Sequence, residues 1–587
     1  MTKEKDLLSS RQPMPLKATL GRTFKYLKPQ LPRFILAFVL IILNVAFDVA
    51  LPVFISSATD NLKSNSVNLN FLIGLAVGYL AIGTVNQVVL YIESMLLQKA
   101  GQSVVAAMRM EVYGHIQSLS QSQLDNMPVG SLVTRVASYT ASLSDLFSEV
   151  LVKVVKNVLT IVGVYGMMLY ISWQLSLVML GFIALVAVVS FVFGKIIGAL
   201  FRKERQYISE LNAYLNENLS GMKLIHVFNR RKFKELEFAL KNENLRKARY
   251  KVVIAFGIYR PLITVIYVMA VAVTFKLGVG FGLNSGMIVA FYLYLSKFFN
   301  PVQNLADQLN NLQKAFTAQE KIYRLLDIKP EITDRADAVE IENFRGEIEF
   351  DRVWFAYEGE DWILKDVSFK VSAGQTCAFV GATGAGKSTI LSLIVRNYEA
   401  QKGRVLIDGV DVKNIKIKCL RRAIGQMLQD VFLFSGTIRS NLTLGNPDFT
   451  DAEIEEACRY VNADGFISAQ ERGLEQELSE RGENLSQGQR QLLSFARTVL
   501  HKPQILILDE ATANIDTETE VLIRESLEKM RGIGTMLVCA HRLSTIRNAD
   551  LIIVMQHGEI VESGTHASLM ESGGYYSKLH ALQAERQ

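Results

Sequence analysis

A glycine-rich segment at residues 381–389 has the composition and spacing of a phosphate-binding loop. It reads GATGAGKST and lies between the strand-like run 375–380 and the helix-like run 390–395, the context that such a loop requires. The glycines let backbone N–H groups surround phosphate oxygens, Lys387 can reach the β- and γ-phosphates, and the Ser388 hydroxyl can bind Mg²⁺. The predicted nucleotide contacts are Gly381, Thr383, Gly384, Ala385, Gly386, Lys387, Ser388 and Thr389.

Two adjacent acids, Asp509 and Glu510, end the wholly apolar run 505–508. Asp509 is placed to hold Mg²⁺ through water, and Glu510 can orient or deprotonate an attacking water. The alternative is a buried strand that simply ends in solvated charge. Because the same chain has a phosphate-binding loop, the catalytic interpretation is the stronger one.

Three further residues are candidate ligands of the same site. His541 follows a second apolar run, 536–540, and so falls at the same edge of the predicted sheet as Asp509, where it can sense a γ-phosphate. Tyr357 can stack on a base, and Gln429 can reach Mg²⁺ and the attacking water. Taken alone, Tyr357 and Gln429 would be ordinary surface or core residues more often than ligands.

A second segment suited to an anion, NLSQGQRQ, occupies residues 484–491. Ser486 is a good N-cap for a helix predicted over 489–500, and the free N–H groups and dipole of that helix favour negative charge. The phosphate-binding loop has its own helix N-terminus, so the expected guest here is a phosphate bound to a second chain. The alternative is a plain capped helix, which is the usual meaning of an isolated serine.

The N-terminal half, up to about residue 310, has the composition of a membrane domain. Its apolar runs reach the roughly 20 residues that a helix needs to cross a hydrocarbon core of about 30 Å. Lys and Arg outnumber acids eight to two in residues 1–33 and thirteen to six in residues 201–251, so the positive-inside rule places both termini in the cytoplasm. The net charge of +6 therefore reflects membrane topology, and we expect no nucleic-acid partner. The six predicted spans are residues 34–57, 71–97, 147–170, 174–197, 252–277 and 286–309.

This ordered set of motifs resembles the ATP-binding cassette (ABC) exporters of the multidrug type. The resemblance implies an α-helical membrane domain of six transmembrane helices, type IV exporter-like, followed by an α/β P-loop NTPase cassette with a helical subdomain. It implies ATP and Mg²⁺ as cofactors, and two cassettes that enclose two ATP molecules between one chain's Walker A and the other chain's signature. It adds these residues of the signature and D-loop to the nucleotide contacts: Ser486, Gly488, Gln489 and Asp516.

The resemblance also predicts the domain boundaries and the parts that join the halves. Two coupling helices should fall near residues 135–140 and 224–231. Independently of the resemblance, the composition of residues 16–33 predicts a basic amphipathic helix on the inner leaflet. The predicted domains are an N-terminal cytoplasmic segment (1–33), a transmembrane domain (34–312), a linker (313–345) and an ATP-binding cassette (346–587).

The chain departs from its family's LSGGQ signature at one position, where Gln487 replaces the first glycine. A glycine there can take backbone angles and allow a close phosphate approach that glutamine cannot match as cheaply. The ATP site completed by this signature should therefore be the weaker one, although Glu510 is present. This combination resembles one half of the heterodimeric bacterial multidrug exporters, so we expect a different partner chain with a degenerate ATP site, in a bacterial plasma membrane.

Only one feature of the predicted spans bears on the substrate. Asp48 lies fourteen residues after Phe34, about 21 Å along the helix, where an acid is costly and is by default a functional candidate. We predict hydrophobic or cationic small molecules as substrates, and the alternative for Asp48 is a structural role near Pro52. A lipid or peptide exporter is the rival function. A nucleotide-gated channel or regulatory membrane ATPase is disfavoured because Glu510 is intact.

Overall fold

The computed structural model describes residues 16–63, 67–427, 430–509, 517–539 and 546–584. They divide into two compact units. The helical unit comprises the described residues up to 117 and from 129 to 328, and the cassette unit comprises residues 118–128 together with those from 329 onwards. A short segment from the N-terminal half of the chain therefore belongs to the C-terminal unit.

Long helices make up the helical unit, because its sequence is a succession of apolar runs separated by brief polar segments. The longest have 50 residues, which is about 75 Å at 1.5 Å per residue and more than twice the thickness of a hydrocarbon core. A single extended residue, Ser172, separates α5 (Val129–Ile171) from α6 (Trp173–Ser220), and its hydroxyl caps α6 by accepting the N–H of Leu175. The helices of this unit are α1 (Leu16–Leu27), α2 (Leu31–Lys63), α3 (Leu69–Ser118), α5 (Val129–Ile171), α6 (Trp173–Ser220), α7 (Met222–Val227), α8 (Arg231–Gly280) and α9 (Ser285–Leu326), and α4 (Gln121–Asp125) lies in the cassette unit.

Five of these helices, α2 (with the preceding residues from Gly21), α3, α5, α6 and α8, are long and apolar enough to cross a membrane, judged over the described residues. The sixth predicted span, 286–309, is helical within α9 but is not among the five. It is the most polar of the predicted spans, since Lys297 and Asn300 fall inside it.

The N-terminal helix α1 is attached to the end of α9 within the helical unit. Arg22 forms a two-pronged ion pair with Asp327, with N–O distances of 2.9 and 2.6 Å. Beside this ion pair, the buried Thr23 hydroxyl lies 2.8 Å from the Tyr323 hydroxyl. The predicted helix is therefore present but ends at Leu27, shorter than the predicted 16–33, and its polar contacts join it to α9.

One coupling helix was predicted at the wrong place. Residues 135–140 lie inside the continuous helix α5, where residues 135–139 form a π-helical turn. The short helix that joins the cassette unit is instead α4, which is five residues long. The second short helix, α7, overlaps the predicted segment 224–231 but begins at Met222.

The strands of the cassette unit are β1 (Ile348–Ala356), β2 (Trp362–Val371), β3 (Thr376–Gly381), β4 (Lys402–Ile407), β5 (Val410–Asp411), β6 (Ile424–Met427), β7 (Gly436–Thr437), β8 (Glu477–Leu478), β9 (Ile505–Asp509), β10 (Thr535–Cys539), β11 (Leu551–Gln556) and β12 (Glu559–Gly564). Six of them form a sheet in the order β12-β11-β3-β10-β9-β6, parallel except for the edge strand β12. A four-stranded antiparallel sheet has the order β2-β1-β4-β5. The helices are α10 (Lys387–Ile394), α11 (Ile417–Ala423), α12 (Ile438–Thr443), α13 (Asp451–Tyr460), α14 (Asp464–Ser468), α15 (Gln487–Leu500), α16 (Thr517–Met530), α17 (His566–Glu571) and α18 (Tyr575–Ala584).

The parallel strands are apolar on both faces because each face is covered. Cys377 and Phe379 of β3 pack into the core that contains α10, whereas Ala378 and Val380 pack into the core that contains α15. This alternation follows the two-residue period of a strand. Because β3, β10 and β9 are parallel neighbours, the carboxyl ends of β3 and β9 lie at the same edge of the sheet, separated only by β10.

Candidate functional site

The phosphate-binding loop connects β3 to α10, as its sequence predicts. Gly386, with φ of +101°, precedes the first residue of α10, and a Cβ there would lie 2.7 Å from Leu364 Cδ2. A Cβ on Gly381 would lie 2.3 Å from the carbonyl oxygen of Met555. Both positions therefore require glycine, and the chain turns tightly enough to direct the start of α10 toward a phosphate.

Lys387 folds back over this loop. Its ammonium donates to the carbonyl oxygens of Gly381 at 2.8 Å and Ala382 at 3.1 Å. The residue is 6% exposed, so its positive charge is held at the loop and not in bulk solvent. A phosphate entering the loop would meet this ammonium together with the N–H groups that open α10.

Two oxygen groups suited to Mg²⁺ meet beside the loop. Ser388 Oγ, at the start of α10, lies 3.3 Å from Asp509 Oδ1, at the end of β9. They are 121 residues apart in sequence and come together because β3 and β9 end at the same edge of the sheet. Hydroxyl and carboxylate oxygens are ligands that Mg²⁺ prefers, so the residues present fit this ion.

Tyr357 stands at the end of β1 with half of its surface exposed (50%). Its hydroxyl lies 3.0 Å from Thr389 Oγ1, which ties it to the helix that follows the loop. Its ring makes edge-to-face contacts with Phe355 and Tyr398, at centroid distances of 4.9 and 5.1 Å. The ring is thereby fixed next to the phosphate-binding loop while part of its surface remains open to a base.

The second anion segment forms the expected helix N-terminus. Ser486 caps α15 by accepting the N–H of Gln489 at 3.2 Å, and the Gln489 side chain accepts the N–H of Ser486 at 3.0 Å. This reciprocal pair is a capping box, so the Gln489 side chain is engaged in the cap. Gly488 is buried in the first turn, and Gln487 is exposed.

The conformational reason given for Gln487 is wrong. Gln487 is the first residue of the regular helix α15, and it is absent from the described non-glycine residues with positive φ. A glutamine adopts this backbone as readily as most residues do. The remaining difference from glycine is steric. Glutamine adds a Cβ and four further side-chain heavy atoms at the N-terminal end of α15, where a phosphate would approach.

Four of the predicted site residues lie outside the described part of the chain. They are Gln429, Glu510, Asp516 and His541. Their roles stay predictions from the sequence, anchored by the described residues at Met427, Asp509 and Cys539 that precede them.

A contact that the sequence did not reveal connects α4 to the nucleotide site. The Tyr398 hydroxyl donates to Asp125 Oδ2 at 2.6 Å, and both burial and this hydrogen bond raise the pKa of the Tyr398 phenol. Gln123 donates to the carbonyl of Lys329 at 3.0 Å, and Ser122 donates to Glu331 at 2.8 Å. A polar cavity of about 370 Å³ lies between α4 and Tyr357.

This contact was missed for a physical reason. Helix α4 has five residues, which is too short for an apolar period to show. The available signal was Ser120 followed by Gln123, which forms a capping box in the structure.

Asp48 has a charged partner within the helical unit. Lys297 Nζ of α9 lies 3.5 Å from its Oδ1, and Asn86 of α3 donates to the same oxygen at 3.3 Å. Asn44 of α2 donates to Asn86 Oδ1 at 2.7 Å. The sequence interpretation treated Asp48 as a lone acid, whereas this polar cluster of Asn44, Asp48, Asn86 and Lys297 joins three helices.

Comparison with known proteins identifies the two halves. The ABC transporter transmembrane region model matches residues 34–302, and the ABC transporter model matches residues 364–513. The chain is 35% identical to the ABC transporter ATP-binding protein YfiC of Bacillus subtilis, over 97% of this chain and 95% of that one. It is 37% identical to the "Probable multidrug resistance ABC transporter ATP-binding/permease protein YheH" of the same organism, over 84% and 74% of the two chains.

Two further likenesses bear on exporters of other kinds. The chain is 32% identical to the ATP-dependent lipid A-core flippase of Syntrophus aciditrophicus, over 96% of this chain and 94% of that one. A bacterial Atm1-family ABC exporter solved with ATP bound superposes with a TM-score of 0.78 at 26% identity, covering 94% and 98% of the two chains. With an ATP-binding cassette behind a multi-pass membrane domain, the chain belongs to the ABC transporter family and is an exporter half-transporter with transport ATPase activity.

Proposed function

We propose that this chain is the ATP-hydrolysing half of a heterodimeric exporter of hydrophobic or amphipathic compounds. The observation that carries the proposal is the meeting of Ser388 and Asp509 beside an intact phosphate-binding loop. Ser388 and Asp509 would hold the Mg²⁺ of bound ATP, and Glu510, which follows Asp509 in the sequence, is the residue that would make this site hydrolytic.

The catalytic roles follow from the positions of these groups. Bound Mg²⁺ would neutralise charge on the phosphates, held by Ser388, Asp509 and Gln429. Lys387 and the N–H groups of α10 hold the β- and γ-phosphates. Glu510 orients the attacking water, and His541 senses the γ-phosphate.

Coupling to transport is proposed to pass through residues 118–128. This segment joins α3 to α5, two long helices of the helical unit, yet it packs within the cassette unit. Tyr398 contacts Asp125 of the segment and also the ring of Tyr357. A rearrangement of the cassette when ATP binds would therefore move the ends of α3 and α5.

The partner is proposed to be a different chain. Gln487 puts an exposed side chain at the end of α15, where a glycine would leave room for a phosphate of the second nucleotide. The site completed by this signature is then the weak one, and the site built on this chain's own loop is the hydrolytic one. Two identical chains would combine both features in each site.

The membrane arrangement is proposed from charge and domain order. Both termini and the cassette (346–587) lie in the cytoplasm of a bacterial cell, and residues 34–312 cross the plasma membrane. The excess of Lys and Arg in residues 1–33 and 201–251 supports this orientation.

The substrate class is proposed to be multidrug, including cationic compounds. Asp48 and Lys297 keep about a third of their side-chain surface exposed, so the polar cluster is accessible to an amphipathic molecule. The relative YheH carries a multidrug description. Lipid export is the second candidate, since a flippase is among the relatives of similar length.

The test is transport by inside-out vesicles that contain this chain with and without its candidate partner. ATP-dependent uptake of fluorescent drugs by the pair supports the multidrug proposal. Movement of labelled lipid between leaflets without drug uptake would replace it with the lipid alternative. Strong drug-stimulated uptake by this chain alone would contradict the heterodimer.

A further inference from the structure

A buried carboxyl group in α3, that of Glu93, has no hydrogen-bond partner among the described residues. The side chain is 3% exposed, and its Oε2 atom is sealed from solvent without a donor. No ion pair reaches it within the described part of the chain. Because side chains of the same chain already cover Oε2, a second transporter half cannot supply the missing donor in this arrangement.

The missing donors decide which form of the Glu93 carboxyl this arrangement favours. An ionised carboxylate without donors is far more costly to bury than a neutral carboxyl, which loses only its hydrogen bonds to water. Glu93 also falls within the predicted span 71–97, four residues before its end, where an ionised acid is costly. The neutral, protonated form is therefore the one that fits these surroundings.

Helices α3 and α5 pack side by side and run in opposite directions. A Cβ on Gly101 would lie 3.2 Å from Ser148 Cβ, and eight residues further along α3, Arg109 donates to the Thr140 hydroxyl at 3.4 Å. A step of eight residues along α3 is thus matched by a step of eight residues back along α5. The same register, extended the other way, brings Lys156 of α5 level with the buried carboxyl.

Lys156 is a half-buried cation that forms no ion pair with a described residue. It acts electrostatically on Glu93 from beyond ion-pair distance. The helices that carry these two residues are the ones that residues 118–128 connect, and that segment packs within the cassette unit. A movement of the segment would therefore shift α3 along α5 and change the separation of Glu93 and Lys156.

The other charged groups of the surrounding helices are paired or exposed. Asp48 of α2 is paired with Lys297 of α9, and Glu149 of α5 is paired with Lys153. Within residues 28–48, 93–99 and 145–156, the remaining charged side chains are all exposed: Lys28, Arg33, Lys99 and Asp145. Lys156 is thus the cation placed to pair with Glu93.

We propose that Glu93 is a proton-binding site of the transport cycle, protonated in the arrangement seen here and deprotonated when movement of α3 along α5 brings Lys156 to its carboxylate. The O–H bond of the carboxyl breaks, its proton passes to water at the cytoplasmic end of the span, and Lys156 keeps its own protons. The reverse movement returns the proton, so no other reactant is needed. The proposal rests on the proposed coupling through residues 118–128 and on the proposed membrane orientation, but not on the identity of the exported compound.

The test is infrared difference spectroscopy of the purified transporter in lipid nanodiscs, with and without Mg²⁺ and the non-hydrolysable analogue β,γ-imido-ATP. A neutral carboxyl has a C=O stretch that an ionised carboxylate lacks, so the spectrum reports the protonation state directly. The wild type should show this band in one nucleotide state and lose it in the other. Glu93→Gln should remove the band from both states.

Two changes at Lys156 test the pairing. Lys156→Gln should keep Glu93 neutral in both nucleotide states, and Lys156→Arg should restore the difference between them. The matched control is Glu204→Gln, which removes another buried glutamate of the helical unit, one that already has a cation, Arg249, at 3.2 Å. It should leave the nucleotide-dependent band unchanged.

A wild-type spectrum without the band in either state, or a band that survives Glu93→Gln, would overturn the proposal. A Glu93 band of equal strength in both nucleotide states would also overturn it, since Glu93 would then be a permanently neutral structural group. Binding of the analogue by each variant confirms that it is folded. Because the measurement involves neither ATP hydrolysis nor a drug, its failure would leave the proposed export function intact.

Discussion

Removal of one hydroxyl group, that of Tyr398, should weaken the link between ATP hydrolysis and transport. Tyr398→Phe keeps the ring that packs against Phe355 and Tyr357 and deletes only the hydrogen bond to Asp125. The nucleotide site is otherwise untouched. The change therefore acts on the docking of residues 118–128 within the cassette unit.

The size of the effect follows from the geometry of this bond. At 2.6 Å to a carboxylate oxygen it is short, and hydrogen bonds to charged groups contribute about 1.5–3 kcal/mol. Asp125 is exposed, so screening by water reduces the figure to about 1 kcal/mol. That energy corresponds to a roughly fivefold decrease in the equilibrium constant for docking of the segment, which sets the upper limit of the effect on coupling.

The assay measures ATP hydrolysis and drug uptake on the same vesicles. For Tyr398→Phe we expect ATP affinity within about twofold of wild type and up to roughly fivefold less drug transported per ATP. Tyr460→Phe is the matched control, because it removes another cassette phenol bond, 2.7 Å to the carbonyl of Lys529, that does not involve α4. It should leave the ratio unchanged.

A double-mutant cycle with Asp125→Ala separates this bond from general damage. The two changes should be less than additive, with a coupling energy of about 1 kcal/mol. Full additivity, or an unchanged ratio of transport to hydrolysis in Tyr398→Phe, would refute the role given to this contact.

Three further changes test other parts of the structure. Ser388→Ala should raise the Mg²⁺ concentration for half-maximal ATPase by at least roughly tenfold, measured by Mg²⁺ titration, and a normal Mg²⁺ profile would remove Ser388 from the ion's ligands. Lys297→Gln should lower the thermal unfolding midpoint by leaving Asp48 without its cation, at a cost of about 1 kcal/mol, and adding Asp48→Asn should restore most of it. Gly386→Ala should weaken ATP binding by roughly tenfold, since φ of +101° and the approach to Leu364 Cδ2 cost about 1–3 kcal/mol; wild-type affinity would show that the loop adjusts.

The strands, loop and helices that carry the predicted nucleotide site were predictable because their signals are local in sequence. The glycines, lysine and serine of the loop at 381–389 are contiguous in the sequence and indicate a phosphate-binding loop. The apolar run before Asp509 indicates that Asp509 ends a buried strand. That Ser388 and Asp509 meet then follows from the rule that parallel strands end at one edge of the sheet. The helix after Ser486 was equally visible from its cap and apolar spacing.

The missed features depend on contacts between distant parts of the chain. Nothing near Asp48 in sequence indicates that Lys297, on a helix more than 200 residues later, is its partner. Tyr398 contributes one of the hydrogen bonds that dock α4, and nothing in the sequence around Tyr398 indicates that Asp125 is its partner. Gln487 needs no special backbone conformation, because it occupies an ordinary first helical turn whose geometry only the structure shows.

The central claim is that this chain supplies the hydrolytic site of a two-chain exporter. Its most direct test is ATP-driven drug uptake by vesicles containing the pair, with glutamate replaced by glutamine in one chain at a time. Glu510→Gln in this chain should abolish most ATP turnover and uptake while ATP binding persists, and the equivalent change in the partner should leave most activity intact. Near-normal turnover with Glu510→Gln, or equal loss from either change, would contradict the claim.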